Sequence, residues 1–182
     1  MVTITVSGLH GVGKTTTAKK LAEKFDLRYV SAGTVFRQMA EEQGMTLEEF
    51  SKHVEENPEI DEEIDQRTAK EAEKGNVLID GRLSGWMAKN ADVRILLIAS
   101  LEARVQRITN REDRDLEEVE KETITREESE AKRYKKLYDI DVNDYSVFDI
   151  ILNTESFNES EMVDILEKAV KIKTGTDQPP TN

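Results

Sequence analysis

The chain opens on Thr3-Ile4-Thr5-Val6-Ser7, where β-formers alternate between two faces until Gly8 ends the run. A period of two predicts a strand. Past Thr15 the period changes: Ala18, Leu21, Ala22 and Phe25 recur at helical spacing and predict a helix with one face on a sheet. Leu27 to Ser31 predicts a second short strand, broken at Ala32-Gly33, after which Val35, Phe36 and Met39 follow helical spacing as far as Gly44. Thr46 with Glu49 forms a capping box for a short helix, and Asn57-Pro58 starts a long one running to about Lys74, stopped by Gly75. Asn76 to Asp80 is a short apolar strand ending in an acid, and Val93 to Ile98 is a buried one. Leu101 to Arg111 is predicted helical with Ala103, Val105 and Ile108 inward, Val147 to Leu152 is the last strand, and Asn158 with Glu161 caps a final helix. Residues 112–133 hold ten acids and five bases on a loose apolar stripe, which predicts a mobile, solvated helical pair. Residues 174–182 are polar and contain proline, the composition of a disordered tail.

Short, nearly continuous apolar strands alternating with helices predict an α/β fold with a parallel sheet covered by helices on both faces. The expectation is one domain over residues 1–173, with two helical excursions at 33–75 and 112–137. A length of 182 residues suits that, and the absence of cysteine removes disulfides and thiolate metal sites. The net charge of −12 argues against polymeric nucleic acid or an anionic membrane as the main partner. With no apolar run of membrane-spanning length, a cytoplasmic protein is expected.

Between the first strand and first helix stands Gly8-Leu9-His10-Gly11-Val12-Gly13-Lys14-Thr15-Thr16. The spacing Gly-x-x-x-x-Gly-Lys-Thr arises by accident in roughly one chain of this length in two hundred, and the strand before it and helix after it make accident rarer. Its backbone N–H groups and the helix N-terminus suit phosphate oxygens. Lys14 can reach the β- and γ-phosphates, and the Thr15 hydroxyl can ligate Mg²⁺. The fold expected is therefore of the P-loop NTPase type.

Ligands in such sheets sit at the carboxyl ends of the strands. There the chain places Ser31-Ala32-Gly33 with Arg37, then Asp80-Gly81-Arg82, then Arg107 and Arg111, and beyond them Arg126 and Arg133. Phosphoryl transfer needs two anions brought in line and their charge neutralised, which arginines and Mg²⁺ do. Each of these residues also has a plainer reading. Arg107 and Arg111 have the spacing of an exposed charged face, Arg126 and Arg133 that of surface ion pairing, and Asp80 can cap a turn or approach Mg²⁺ through water. Trp86 and Met87 read as packing residues, His53 as surface and His10 as a loop-lining side chain. A GTPase-type switch would require an Asn-Lys-x-Asp and an Asp-x-x-Gly, and neither is present.

The chain resembles nucleoside monophosphate kinases from Val2 to about Ser156, and most closely the archaeal type of cytidylate kinase. Residues 8–16 match the family's ATP loop. Ser31-Ala32-Gly33-Thr34-Val35-Phe36-Arg37 resembles the start of the monophosphate-binding region, whose arginine grips the acceptor phosphate. Asp80-Gly81-Arg82 resembles a motif whose arginine holds the same group. Arg107 to Arg111 is similar to the segment that holds the ATP adenine and phosphates. Arg126, Glu130 and Arg133 match lid residues in spacing: two arginines on the transferring group, and an acid that helps hold the acceptor nucleoside. The resemblance implies ATP and Mg²⁺, CMP or dCMP as acceptor, and a monomer, with 33–75 as monophosphate-binding region and 112–137 as lid. An adenylate kinase, or a shikimate or dephospho-coenzyme A kinase, is the alternative. Where bacterial cytidylate kinases carry an acid after Gly-Arg, this chain has Leu83, so the contacts that read cytosine do not carry over.

Overall fold

A computed structural model describes residues 2–57 and 59–176; Pro58 and residues 177–182 of the expected tail lie outside the described residues. Strands β1 (Thr3–Gly8), β2 (Arg28–Ser31), β3 (Val77–Asp80), β4 (Val93–Ile98) and β5 (Ile150–Asn153) alternate with helices α1 (Lys14–Lys24), α2 (Ala32–Glu42), α3 (Leu47–Glu56), α4 (Glu59–Lys70), α5 (Ser84–Met87), α6 (Leu101–Glu112), α7 (Leu116–Tyr138) and α8 (Glu159–Thr174). The sheet is parallel, in the order β2-β3-β1-β4-β5. β1 lies at its centre, so the residues leaving its carboxyl end enter the crevice between chain halves that run to opposite edges.

The alternation read in β1 sorts its side chains between two cores. Ile4 and Val6 join α1 and α8 on one face, together with Leu78, while Val77 and Ile79 of β3 turn to the other face against Met39, Phe50 and Ile64. The hydroxyl-bearing positions of β1 are buried too, and their hydroxyls need partners. Ser7 Oγ accepts from Gly85 N at 3.0 Å and lies 3.0 Å from Ser84 Oγ, which pins α5 and the Gly81-Arg82 turn to the central strand.

Three elements differ from the sequence expectation. The long helix is α4 followed by a tight 3₁₀ turn over Glu71–Lys74. The last strand starts only at Ile150, because Tyr145–Val147 forms a 3₁₀ turn and Phe148 packs edge-on against Trp86, ring centroids 4.8 Å apart. Residues 112–133 are no solvated helical pair: after the end of α6 and a short turn they belong to one 23-residue helix, α7. Its inner face is buried at Val119, Thr123, Glu130 and Tyr134, and Val119 packs with Val105 and Ile108 of α6. Asp115 caps its start through Glu118 N at 3.0 Å.

Candidate active site

The loop after β1 takes its shape from its glycines. Gly11 has φ +77°, and a Cβ there would stand 2.6 Å from the carbonyl oxygen of Arg104, so the loop rests directly on α6. Gly13, at φ +95°, is the N-cap of α1 and provides no side-chain cap, which leaves the first N–H groups of the helix open to an anion. Lys14 folds back inside the loop and donates to Leu9 O at 2.8 Å. Burial pulls the Lys14 ammonium down to about 8, Arg82 and Arg104 add to this, and Asp80 and Glu130 oppose it. The loop holds a cation that is short of negative charge, the condition a phosphate relieves.

Thr15 Oγ1 donates to Asp80 Oδ2 at 2.8 Å, and the Tyr29 hydroxyl donates to the same oxygen at 2.8 Å. Burial, then the Asp80 charge, pushes the Tyr29 phenol up to about 12, so it remains a donor. A hydroxyl and a carboxylate side by side beneath the loop are hard oxygen donors and fit Mg²⁺, which takes few protein ligands beside phosphates and water.

Two cavities of about 340 Å³ each open at this end of the sheet. The first is walled by Gly11, Gly13, Lys14, Thr15, Thr16, Arg107 and Arg111. The second is walled by Gly33, Arg82, Glu130 and Arg133 together with Phe36 and Tyr134. His10 and Arg126 stand in the walls of both. Val12 is buried in the core, while Gly8 and Leu9 line a separate cavity with Arg82 and Leu97 and not the phosphate-side one.

Glu130 is the hub between the cavities. Its Oε1 lies 3.1 Å from His10 Nε2 and accepts from Arg126 Nε at 3.0 Å, while its Oε2 pairs with Arg82. Burial alone would raise this carboxyl; hydrogen bonding and charge from His10, with Arg82 and Arg126, hold it down at about 2. A carboxylate depressed in the folded state stabilises the fold at pH values above its ordinary pKa of 4.5, and that contribution disappears as pH falls through about 2. Thermal unfolding of wild type and Glu130→Gln between pH 7 and pH 2 checks this. The wild-type Tm is expected to fall more steeply than the variant's below pH 4.5.

The expected residues do not all stand equally. Arg107 is anchored, donating from Nη1 to Thr154 Oγ1 at 2.8 Å and from Nη2 to Thr154 O at 3.0 Å. Arg111 is exposed and pairs with Glu112. Ser31 is engaged in the α2 capping box, its Oγ accepting from Thr34 N at 3.2 Å. Arg37 is exposed, its guanidinium beside Gly33 at the rim of the second cavity rather than in its wall. Arg133 reaches across to α4, Nη1 donating to Asp61 Oδ2 at 3.3 Å, and lines only the second cavity.

Sequence reading passed over Arg104. It is 3% exposed, donates from Nη1 to His10 O at 3.0 Å, and is paired through both terminal nitrogens with Glu127 of α7. It thereby ties α6, α7 and the apex of the loop together. The i,i+3 spacing of Arg104 from Arg107 was its only local signal; its partner lies 23 residues further on.

A parallel sheet, a phosphate loop on its central strand and two cavities that share His10 and Arg126 define a P-loop kinase. The fold is similar to solved shikimate kinases from Bacteroides thetaiotaomicron (TM-score 0.62, 19% identity, covering 93% of this chain and 98% of that one) and Acinetobacter baumannii (TM-score 0.60, 17% identity, covering 98% and 96%). The chain belongs to the cytidylate kinase-like family, whose model matches residues 3–156. It is 51% identical over 171 residues to a cytidylate kinase of Archaeoglobus fulgidus (93% of this chain, 95% of the relative). To one of Pyrococcus horikoshii it is 48% identical over 167 residues (92% and 87%). Among the described residues no helix is long and apolar enough to cross a membrane.

Proposed function

We propose that the protein transfers the γ-phosphoryl group of ATP to CMP, and to dCMP, giving ADP and CDP or dCDP. The observation that carries this reading is the pair of cavities sharing His10 and Arg126, one lined by the phosphate loop and the other by Arg82 and Arg133. Two anions that enter them meet end to end. The acceptor phosphate oxygen is already anionic at neutral pH, so no general base is required. It bonds to the γ-phosphorus as the bond to the β–γ bridging oxygen breaks and ADP leaves.

Lys14 and Arg126 neutralise the transferring group, with Arg133 beside them on the acceptor side. Arg82 holds the acceptor phosphate, and Arg37 meets it at the rim. Arg107 and Arg111 flank the ATP side. Thr15, and Asp80 through water, would hold Mg²⁺, which would supply charge neutralisation at the phosphates. In the ligand-free chain Glu130 occupies Arg82, Arg126 and His10 together, as an internal anion; an arriving acceptor phosphate competes with it for the two arginines. Residues 112–137 then serve as a lid that excludes water, and residues 33–75 as the acceptor-binding region. The protein is read as a cytoplasmic monomer acting on small molecules.

The test is ADP release from MgATP across CMP, dCMP, UMP, AMP and shikimate. CMP and dCMP are expected to give the highest kcat/KM; AMP or shikimate turning over faster than CMP would overturn the assignment.

A further inference from the structure

The acceptor cavity contains a second kind of polar wall that the phosphate does not explain. Asp61 and Asp65 stand one helical turn apart on α4, in the wall of a cavity that Arg82, Arg126 and Arg133 also line. Two carboxylates repel a phosphate, so they face the part of the acceptor that carries hydrogen-bond donors. Asp61 is already paired with Arg133. Among the described residues Asp65 accepts only a long bond from the Tyr138 hydroxyl, 3.3 Å to Oδ2, and the same cavity is lined by Ile64, Phe36 and Ala69, apolar surface suited to a flat ring.

We propose that Asp65 is the residue that selects cytosine, its carboxyl pairing with the N3 and N4-amino edge of the acceptor base in a register set by Tyr138. This deepens the CMP reading of the site and rests on it. Burial drives the Asp65 carboxyl up to about 6; Arg133 and the Tyr138 bond oppose that, and Asp61 and Glu130 add to it. At neutral pH such a carboxyl is mostly ionised, but taking up a proton costs it only about a factor of ten, so a partner presenting an acceptor beside a donor, as cytosine does, draws the proton onto it. Because Tyr138 donates to Oδ2, the proton resides on Oδ1. Oδ1–H then donates to N3, and Oδ2 accepts from the N4 amino group. Uracil reverses both, setting its N3–H against Oδ1–H and its O4 against Oδ2. Suiting uracil would put the proton on Oδ2 instead, which makes that oxygen a poorer acceptor for the Tyr138 hydroxyl. Adenine carries the same edge as cytosine, so Asp65 separates CMP from UMP and not from AMP.

The experiment compares kcat/KM for CMP, UMP and 3-deaza-CMP, in which N3 is replaced by C–H, on wild type, Asp65→Ala and Asp65→Asn, with far-UV circular dichroism confirming the fold. Wild type is expected to prefer CMP over UMP and over 3-deaza-CMP by roughly 10- to 100-fold, the usual cost of leaving a site's hydrogen-bonding groups unpaired. Asp65→Ala is expected to lose most of that on CMP, change little on UMP and treat 3-deaza-CMP like CMP. Asp65→Asn, whose amide can donate to N3 and accept from N4 with its oxygen still held by Tyr138, is expected to retain CMP activity and the preference over UMP. Equal losses on CMP and UMP in Asp65→Ala, or wild type indifferent to the loss of N3, would overturn the proposal. If Asp65→Ala does not fold, Tyr138→Phe decides: it removes the bond that sets the register and is expected to admit UMP, and an unchanged CMP/UMP ratio in it counts against the proposal. Wild type failing to phosphorylate CMP at all would mark a failure of the underlying functional reading, with which the assignment of Asp65 falls.

Discussion

Lys14→Met is expected to lower kcat/KM for the transfer by roughly 10²- to 10³-fold, the usual loss when one preorganised charge is removed from the developing charge of a transition state. The same substitution is expected to make the protein more stable at neutral pH. Lys14 sits with its pKa pulled from 10.5 to about 8, chiefly by burial. The unfolded chain therefore binds that proton more tightly than the folded one, and stability rises as pH rises from about 8 to 10.5. Below pH 8 the burial cost is present in full. Methionine removes it and keeps most of the side chain's volume, so unfolding at pH 7 is expected to shift by about 1–3 kcal/mol in the variant's favour. The gain is expected to vanish above pH 10.5. Urea unfolding at several pH values checks the sign, and loss of activity with a fall in stability at pH 7 would contradict the account of a cation held in wait for phosphate.

The second large effect is expected at Arg104, in the core beside the loop. Arg104→Ala leaves Glu127 without its partner and His10 O without its donor, both part-buried. Breaking one side of such a pair costs about 3–5 kcal/mol. Replacing both partners, as in Arg104→Met with Glu127→Leu, removes the uncompensated charge and is expected to restore most of the stability. It is not expected to restore activity, because the hydrogen bond from α6 to the loop apex remains absent. Denaturant midpoints and kcat for the single and double variants separate the two contributions. Full recovery of kcat in the double variant would show that Arg104 stabilises the fold without positioning the loop.

Where the sequence was legible, local chemistry and tertiary structure pointed the same way. The alternation in β1, the Gly13-Lys14-Thr15 spelling and the capping boxes at Thr46 with Glu49 and Asn158 with Glu161 are each decided within a few residues, and each stands as expected. The convergence of the phosphate loop, Asp80, Arg82 and Arg107 followed from the strand ends of a parallel sheet and the helix after β4.

What escaped reading depends on long-range partners. α7 looked like solvated charge because its buried positions include Thr123 and Glu130, polar residues invisible as an apolar stripe, and Glu130 finds its partners on other elements as well as its own. Arg104 with Glu127, Arg82 with Glu130 and Tyr29 with Asp80 join residues from separate elements. The delayed start of β5 has the same origin, since Phe148, extended but ahead of the paired strand, packs on Trp86 from a separate element.

The central claim is that the phosphate loop presents its γ-phosphate to a second anion rather than to water. It is tested most directly by ADP formation from MgATP with and without CMP, with CDP measured in the same samples. ADP formation is expected to be slow without CMP and to rise sharply with it, one CDP appearing per ADP. Steady ATP hydrolysis that CMP leaves unchanged would contradict the account.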